Sequence, residues 1–418
     1  MFPAVIALFI FALFWGSRVY LVFPAVSLSN ILFPFVVMSL AVLFGARKHA
    51  KEIWVIVFAL FTYPILAFTH AVFFHNPEQL KDLFYTVQVP ILFLCTYTLA
   101  SVYYTKGEQA LYLSKLFKYG KWTYYLIAAA VVFQFLGILG IVPRIWEREV
   151  HEGIFTITGP YSNPNNLAAI FFLMFGFLLF LGDHLGIKEG KKRLILTCIV
   201  ILLLTLSRSI LLFFILFYYF WLLHKQRYLK FVAVSLASVV IFAAGISLLF
   251  NLEWVAASSS EHPLLVTNLN RLIAIRNILE GGTDNSSFLR LSSYWYFLQN
   301  ILDTYSGIGS SGYFQFYQNA EFDIELISQN PHSFWIETAI AYSFWTPLFM
   351  LFGIFYMWIQ ARGSWHSVFT IMALFTVLLA NVPSTIIRSP VVWLPLFLVF
   401  SIAYWERRTS GNTASPER

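Results

Sequence analysis

The feature that most constrains this chain is a series of apolar runs, each close to the length of a bilayer-spanning helix. Such a helix needs about 20 consecutive, mostly apolar residues, and the sequence offers about twelve runs of roughly this kind. Hydrophobic residues make up 59% of the chain and charged residues 11%, which excludes a soluble globular domain. We therefore predict an all-α, polytopic membrane protein. The predicted spans are residues 3–17, 22–44, 53–74, 84–104, 122–142, 164–182, 194–206, 209–223, 231–250, 333–358, 367–380 and 390–405.

The predicted spans divide the chain into four parts. Residues 1–250 carry spans one to nine, joined by short loops, and residues 333–405 carry spans ten to twelve. Between them, residues 251–332 form the largest predicted segment outside the membrane, and residues 406–418 form a polar tail. The first run, 3–17, lacks the basic flank and the small-residue cleavage site of a signal peptide, so we expect it to be a retained span.

Lysine and arginine distinguish the two sides of the predicted bundle. Cytoplasmic loops carry an excess of these residues, and 18 of the 27 fall in segments that are separated from one another by even numbers of predicted spans. These segments are 47–51, 106–121, 188–193, 225–230, Arg362 and the tail with Arg407, Arg408 and Arg418. We expect this side to be cytoplasmic and to hold both termini.

The opposite, outer side uses a different basic residue. Eight of its nine basic residues are arginines, whereas lysine outnumbers arginine on the cytoplasmic side. A planar guanidinium binds phosphate or carboxylate through two parallel hydrogen bonds, which a lysine cannot do. Two interpretations stay open: the outer arginines bind an anionic substrate, or they pair with outer acidic residues. Candidate partners are Glu147, Glu149, Glu152, Glu280 and Asp284.

Two outer loops are long enough to carry a function. Residues 143–163 form a polar loop, and the large segment after span nine contains predicted helices at about 264–280 and 288–302. The cytoplasmic loops are short and basic. We therefore expect the functional residues to face outward.

Three spans that re-enter the membrane from the outer side begin with a capping signal. These starts are Asn163–Pro164, Asn330–Pro331 and Ser389–Pro390. Asn or Ser at the N-cap, followed by Pro at the first helical position, favours a helix start. Helix N-terminal ends that meet at one face attract anions, phosphate in particular. Every inward-running span needs a cap at this face, however, so capping alone is the simpler interpretation.

One arginine is predicted to lie inside the membrane. Arg208 follows about 13 apolar residues after the 188–193 loop, which places it about 20 Å above the cytoplasmic boundary of a core about 30 Å thick. Both ends of this apolar stretch are predicted to be cytoplasmic, so two short helices should meet in a turn with Arg208 at its tip. A charge at this depth costs at least about 2.5–3.5 kcal/mol on insertion scales, so it needs a partner or a task. The partner would be Glu337, and the task would be to bind an anion.

A titratable group stands at the start of the tenth span. His332 lies on the outer side in "QNPHSFWIETAIAY", with Ser333 next to it and Glu337 about a turn deeper. The helix dipole would lower the pKa of the imidazole and favour its neutral, proton-accepting form. Beside an anion site, such a histidine is a candidate general base; alternatively it is a polar anchor at the interface. Glu337 would orient the imidazole or pair with Arg208.

Four segments in sequence order resemble one known family. They are "TGPYSNPNNLAAIFF", "LTLSRSILLFF", "RLSSYWYFLQNILDTYSGIGSSGYF" and "NPHSFWIETAIAY". Their order and topology resemble the O-antigen ligase and polymerase superfamily of bacterial polysaccharide assembly, over roughly residues 155–345. The segment "NVPSTIIRSPVVWLPL" is similar to that of its polysaccharide polymerases. Two departures occur: "IAYSFWTP" replaces a glycine-containing segment after the histidine, and a serine follows Arg208 where members often have glycine.

The resemblance implies a fold, a location and a reaction. The fold is glycosyltransferase type C-like, in a multi-pass protein of the bacterial inner membrane with its active site on the periplasmic, outer face. The reaction transfers a glycan from undecaprenyl pyrophosphate to a sugar hydroxyl with inversion at the anomeric carbon, without a metal or cofactor. The expected partners are this lipid-linked donor, a glycan acceptor and membrane lipids, and no nucleic acid is expected. Cys95 and Cys198 lie within predicted spans and form no CxxC pair, which also argues against a structural metal site.

The resemblance also assigns roles to residues. Arg208 and Arg290 would stabilise the charge on the departing pyrophosphate, and His332 would take the proton of the acceptor hydroxyl or position that hydroxyl. Asn163 and Asn165 could cap the helix or contact the donor, and capping is the favoured role. The residues predicted to bind pyrophosphate or glycan are Arg271, Arg276, Asn163, Asn165, Glu337 and Ser333.

The acceptor distinguishes two functions within the family. A polymerase of O-antigen, capsule or exopolysaccharide extends a lipid-linked repeat unit, whereas a ligase transfers the glycan to lipid A core. The "NVPSTII" segment favours a polymerase, and so does an outer face with thirteen acidic residues against nine basic ones, because a ligase must bind a phosphorylated core. A transporter or flippase of lipid-linked sugars is the alternative of another class. It would show broken helices in paired halves, and the sequence shows one broken helix.

Overall fold

The fold is given by a computed structural model. It describes residues 2–14, 28–45, 49–73, 77–143, 149–151, 154–155, 157–161, 163–205, 207–229, 232, 285–309, 313–320, 333–381 and 390–413.

Helices make up nearly all of the described structure. Before the large outer segment they are α1 (Phe2–Phe14), α2 (Leu28–Gly45), α3 (Lys51–Phe73), α4 (Pro77–Tyr104), α5 (Gln109–Ile138), α6 (Pro164–His184), α7 (Lys191–Thr205) and α8 (Arg208–His224). Later they are α9 (Asn285–Gln299), α10 (Tyr313–Tyr317), α11 (Phe334–Tyr342), α12 (Trp345–Gln360), α13 (His366–Leu379) and α14 (Leu394–Thr413). Short 3-10 helices occupy Ile301–Thr304 and Pro390–Trp393. Strands β1 (Glu149–His151) and β2 (Ile154–Phe155) pair antiparallel between α5 and α6.

The helical membrane architecture predicted from the sequence is confirmed at the level of individual helices. Within the described ranges, four helices are long and apolar enough to cross a membrane: Lys51–Phe73, Tyr85–Tyr104, Gln109–Ile138 and Pro164–His184. The predicted span 231–250 falls almost entirely outside the described residues, as does the predicted helix 264–280. The predicted helix 288–302 corresponds to α9 and the 3-10 turn that follows it.

The bundle packs around α6. Every residue from Asn166 to Gly182 is buried, which is the behaviour of a helix that is apolar on all sides. Helices α5, α7, α8, α13 and α14 all contact it. The central position of α6 fixes where its two ends lie, one at each face of the bundle.

Asp183, at the end of α6, joins two of the segments predicted to be cytoplasmic. Its carboxylate pairs with Lys191 at the start of α7 and with Lys225 after α8, the latter at 3.2 Å. The indole nitrogen of Trp221 donates to the same carboxylate at 2.8 Å. A buried carboxylate with this many partners is well compensated, so it holds α6, α7 and α8 together at one end.

A second polar cluster adds α13 and α14 to this end. Glu406 of α14 pairs with His184 at 3.3 Å and accepts a hydrogen bond from Ser364 at 2.8 Å. Burial alone would raise the pKa of Glu406, but the hydrogen bonds from His184 and Ser364 outweigh burial and hold the pKa below its ordinary value. The side chains of His224 and Ser367 lie 3.1 Å apart. Four of the six predicted basic segments, namely 188–193, 225–230, the loop with Arg362 and the tail, therefore lie at one end of the bundle.

The tenth predicted span, 333–358, is wrong as a single helix. The structure divides it into α11, with nine residues, and α12, with sixteen. Between them, Ser343 has a φ of 152°, a region that favours glycine. Nine residues rise only about 14 Å, so α11 is too short to span a bilayer.

The loop after α9 satisfies the carbonyl groups exposed by this break. The backbone nitrogens of Ile308 and Gly309 donate to the carbonyl oxygens of Ile340 and Ala341 at 2.7 and 3.0 Å. The Ser343 hydroxyl donates to the carbonyl oxygen of Tyr305 at 2.5 Å. Unpaired backbone groups in lipid each cost several kcal/mol. The segment "SGIG" thus completes the hydrogen bonding of a helix that stops inside the membrane.

Gly307 makes this close approach possible. Its φ is +76°, and a Cβ placed there would lie 2.6 Å from the carbonyl carbon of Tyr342. Real Cβ atoms do not approach backbone this closely, so any larger residue would push the loop off α11.

We expect Gly307→Ala to destabilise the protein more than Gly107→Ala. Both glycines have positive φ, but a Cβ at Gly107 would meet nothing within 4 Å. The two variants therefore share the cost of a non-glycine residue at positive φ. The difference between their free energies of unfolding isolates the clash of the added Cβ with Tyr342, which we expect to cost about 1–3 kcal/mol, as overpacking does. Thermal unfolding in detergent checks this, and equal melting temperatures would contradict the close approach.

Candidate active site

The start of α11 is fixed at the outer end of the bundle by Ser333. Its backbone is extended, and its hydroxyl accepts a hydrogen bond from the backbone nitrogen of Ile336. Ser333 is therefore the N-cap, and the predicted cap Asn330 with Pro331 at the first helical position is wrong. Asn330, Pro331 and His332 lie outside the described residues. Asn330 and Ser333 can both cap a helix, and the pattern of Asn followed by Pro predicted Asn330 as the cap.

An aromatic cluster holds this helix start in place. The ring of Phe334 packs against Tyr63 of α3 at 5.9 Å and against Trp393 at 5.2 Å. Trp335 contacts Trp393 at 5.9 Å and donates its indole hydrogen to the carbonyl of Val377 at 3.2 Å. Rings in such tilted and edge-on contacts contribute beyond the area they bury. The N-terminal turn of α11 is accordingly rigid.

Asn381 is the polar residue at the centre of this region. Its side-chain oxygen accepts a hydrogen bond from Ser333 Oγ at 2.6 Å, and the carbonyl of neighbouring Ala380 accepts one from the backbone nitrogen of Phe334 at 2.8 Å. The backbone carbonyl of Asn381 also accepts from the Tyr294 hydroxyl at 3.4 Å. The end of α13 thus connects the start of α11 to α9.

Arg290 lies on the face of α9 that meets Asn381. It precedes Tyr294 by four residues, and positions four apart share one face of a helix. The described side chains of α9 and α10 also pack onto α11, through a cluster that includes Phe297, Phe316 and Ile336. The backbone of α9 therefore places position 290 at the outer end of α13.

The turn predicted at Arg208 is present. Helix α7 ends at Thr205, Ser207 is the N-cap of α8, and Arg208 is its first helical residue. Helices of 15 and 17 residues rise about 22 and 26 Å, so each is shorter than a full span.

The start of α8 lies close in height to the end of α13. The two helices run antiparallel, since His224 contacts Ser367 at one end and Phe217 contacts Phe375 (5.4 Å) further along. From that ring contact, Arg208 lies about 13 Å along α8 and Asn381 about 9 Å along α13, at 1.5 Å per residue. The two positions therefore lie within about one helical turn of each other along the bundle axis.

The remaining predicted residues divide into two groups. Glu337 is buried, with 2% of its surface exposed, in the first turn of α11. Its backbone nitrogen bonds to the carbonyl of Ser333 at 2.8 Å. A pairing of Glu337 with Arg208 stays a prediction. Arg271 and Arg276, like His332, lie outside the described residues.

Asn163 caps α6, as the favoured interpretation had it. Its side-chain oxygen accepts from the backbone nitrogen of Asn165 at 2.8 Å, and Pro164 occupies the first helical position. The preceding loop is anchored to α5, because the buried side-chain oxygen of Gln134 accepts from the backbone nitrogens of Thr158 and Gly159 at 3.0 and 2.8 Å. Contact of either asparagine with a donor stays a prediction.

Comparison with known protein families identifies the part of the chain that carries these features. The family model described as O-antigen ligase matches residues 194–342, a little over a third of the chain. Residues 194–342 are similar to this family, and we refer to them below as the O-antigen ligase domain. The resemblance predicted from the sequence motifs is thereby confirmed. No curated protein and no solved structure matches the chain.

The O-antigen ligase domain begins in α7 and ends at the last residue of α11. It therefore includes the positions of Arg208, Arg290 and His332, and it excludes Asn163 and Asn381. The structure brings the starts of α8 and α11 and one face of α9 to the same end of α13. Three distant parts of the O-antigen ligase domain thus share one location.

Two residues that position this region were not predicted from the sequence. Asn381 opens the "NVPSTII" segment, and a polar residue at the end of an apolar run is a signal that could have found it. Gln134 is a lone amide near the outer end of the predicted span 122–142, which is a similar signal. Both act through partners that only the folded structure brings together.

We expect Ser333 and Asn381 to be coupled in stability and in activity. Removing an N-cap serine costs about 1 kcal/mol, and a double-mutant cycle of Ser333→Ala with Asn381→Ala should show a coupling of roughly 0.5–1.5 kcal/mol, the size of one hydrogen bond. The control is Gly107→Ala, which lowers stability at a glycine of positive φ in a predicted cytoplasmic loop, outside the O-antigen ligase domain. We expect all three variants to lose a comparable amount of stability. Only the Ser333 and Asn381 variants should also lose glycosyl transfer. Equal loss of activity in all three would reduce Ser333 to a structural cap.

Proposed function

We propose that this protein is a membrane glycosyltransferase that polymerises bacterial cell-surface polysaccharide, such as O-antigen, capsule or exopolysaccharide. Its donor is a glycan on undecaprenyl pyrophosphate, and its acceptor is a sugar hydroxyl of a second lipid-linked glycan. The observation that supports the proposal is that the start of α11 and one face of α9 contact the end of α13, and that the start of α8 lies within about one helical turn of this end along the bundle axis. About twelve spans in a glycosyltransferase type C-like arrangement, with this end at the periplasmic face of the inner membrane, complete the proposal.

Stabilisation of the leaving group is assigned to Arg208 and Arg290. When the anomeric carbon–oxygen bond breaks, the electron pair remains on the pyrophosphate, which gains a negative charge. Guanidinium groups fixed near that oxygen stabilise the charge more in the transition state than in the ground state. The N-terminal end of α11 adds a positive dipole at the same location. Arg271 and Arg276 are secondary candidates for the same anion.

Activation of the acceptor is assigned to His332. The acceptor oxygen attacks the anomeric carbon from the side opposite the leaving group, so a carbon–oxygen bond forms with inversion, and the hydroxyl proton passes to the imidazole. The residue after His332 is held by Asn381 and by the cap of α11, which would limit the movement of the base. No metal or cofactor has a step in this scheme.

Transfer to lipid A core, the ligase reaction, uses the same donor and differs only in the acceptor. Polymerisation is favoured here because the outer face carries more acidic than basic residues, and a phosphorylated core would be repelled by it. Transport of lipid-linked sugars is the candidate of a different class. It gains support from the break between α11 and α12, because discontinuous helices often form substrate sites in transporters.

We expect Arg208→Lys to abolish transfer while the protein still folds. Lysine keeps the charge but loses the planar fork that binds two phosphate oxygens, and loss of one such stabilising group typically costs about 100–1000-fold in rate. The matched control is Arg227→Lys at the opposite end of the same apolar stretch, where Arg227 stacks on Trp221 at 5.6 Å. Wild-type rates in Arg208→Lys would remove Arg208 from the site.

An assay with purified components tests the proposed function directly. Protein in detergent with EDTA receives a synthetic undecaprenyl-pyrophosphate repeat unit as its sole substrate, and the expected products are a ladder of longer glycans and released undecaprenyl pyrophosphate. His332→Ala should lose both products, since the acceptor proton then has no base.

The same assay separates the alternatives. Product that forms only after lipid A core is added would identify a ligase and contradict the polymerase proposal. No product with either acceptor, when the native repeat unit is used, would favour transport.

A further inference from the structure

A polar cavity opens at the predicted cytoplasmic end of the bundle, opposite the candidate active site. It lies between the start of α3, the end of α12 and the end of α14, and its volume is about 150 Å³. One enclosed water needs about 10–15 Å³, so the cavity admits a phosphate group together with water. The lining residues are Ala50, Glu52, Gln360, Tyr404, Arg407 and Arg408.

Two arginines of this cavity are oriented by neutral partners. Arg407 Nη1 donates to the backbone carbonyl of Gln360 at 3.2 Å, and Arg408 Nη1 donates to the Tyr404 hydroxyl at 3.1 Å. Within the described parts of the chain, neither forms an ion pair with a carboxylate. A guanidinium has five N–H donors, so these bonds fix each group and leave donors for a ligand. Planar guanidinium groups in this state suit phosphate oxygens.

Glu52 gives the same cavity a negative side. It is half-buried in the first turn of α3 and forms no ion pair with Arg407 or Arg408 in the described structure. A ligand that is only anionic would be repelled by this carboxylate. A ligand that carries both a phosphate and an ammonium would have an opposite charge for each side of the cavity.

Aromatic side chains place the cavity at the level of the lipid headgroups. Trp54 of α3 and Trp358 of α12 each lie two residues from a lining residue, and they are 53% and 37% exposed. Tryptophan is enriched where a membrane meets water. Further into the predicted membrane, Phe58 and Phe355 are 63% and 56% exposed and continue an apolar surface on which acyl chains can pack.

We propose that this cavity binds the headgroup of a phosphatidylethanolamine-type lipid from the cytoplasmic leaflet. Arg407 and Arg408 bind its phosphate, and Glu52 binds its ammonium. The bound lipid would join α3 to α12 and α14 at this end of the bundle. This site does not depend on the proposed glycosyl transfer.

Native mass spectrometry of the full-length protein with defined lipids tests the proposal. Wild type should retain phosphatidylethanolamine in preference to phosphatidylglycerol, and the double variant Arg407→Gln, Arg408→Gln should bind it roughly tenfold more weakly, the effect of about 1.4 kcal/mol. The matched control is Arg227→Gln with Arg362→Gln, which removes two charges from the same face outside the cavity. That variant should bind as wild type does.

Glu52→Gln supplies an independent test, even if the arginine variant fails to fold. Removing the carboxylate should reverse the preference towards phosphatidylglycerol, because the cavity then attracts a purely anionic headgroup. Unchanged selectivity in Glu52→Gln, or equal retention by wild type and a folded arginine variant, would overturn the proposal. Stabilisation by inorganic phosphate or free phosphoethanolamine without retention of either lipid would assign the cavity to a soluble phosphate and would also overturn it.

Discussion

Backbone hydrogen bonding inside a bilayer is the constraint on which this structure depends. Helix α11 stops after nine residues, and its last carbonyl groups have no water to bind at that depth. Ile308 and Gly309 supply the missing donors from a loop that follows α9. Residues 305–309, which lie in the segment predicted to be an outer loop, are therefore packed against α11, and they cannot leave without exposing those carbonyl groups. This requirement ties α9, and with it the position of Arg290, to α11.

The described contacts at the N-terminal end of α11 are of another kind. The Ser333–Asn381 hydrogen bond and the aromatic contacts of Phe334 hold this end. These partners are neutral: a hydroxyl, an amide, backbone groups and rings. They position the helix without adding charge. A site that must stabilise a pyrophosphate benefits, because scaffold carboxylates would offset the arginines.

Much of the fold follows from the sequence, and the exceptions have physical reasons. Apolar runs predicted the helices, and the N-cap at Asn163 and the turn before Arg208 were readable from local chemistry. The break at Ser343 was not, because "AIAYSFWTP" has no glycine and its proline comes four residues after Ser343. The freed carbonyl groups are satisfied by a loop distant in sequence, whose backbone N–H groups donate to them. Asn381 likewise gained its role from Ser333, which is 48 residues away. Local patterns cannot show partners that tertiary packing supplies.

The described contacts at the two ends of the bundle differ in charge. At the predicted cytoplasmic end, Asp183 and Glu406 pair with cations and fasten helix to helix, so charge there is used mainly for structure. At the start of α11, at the opposite end, the described partners are neutral hydrogen-bonding groups and rings. Buried Glu337 is the one carboxylate among the described residues of α11. Glu337 lies about a turn below Ser333. Its carboxylate would lower the local positive potential if it faced the donor, and it would hold an arginine in place if it faced α8. A pairing of Glu337 with Arg208 stays a prediction.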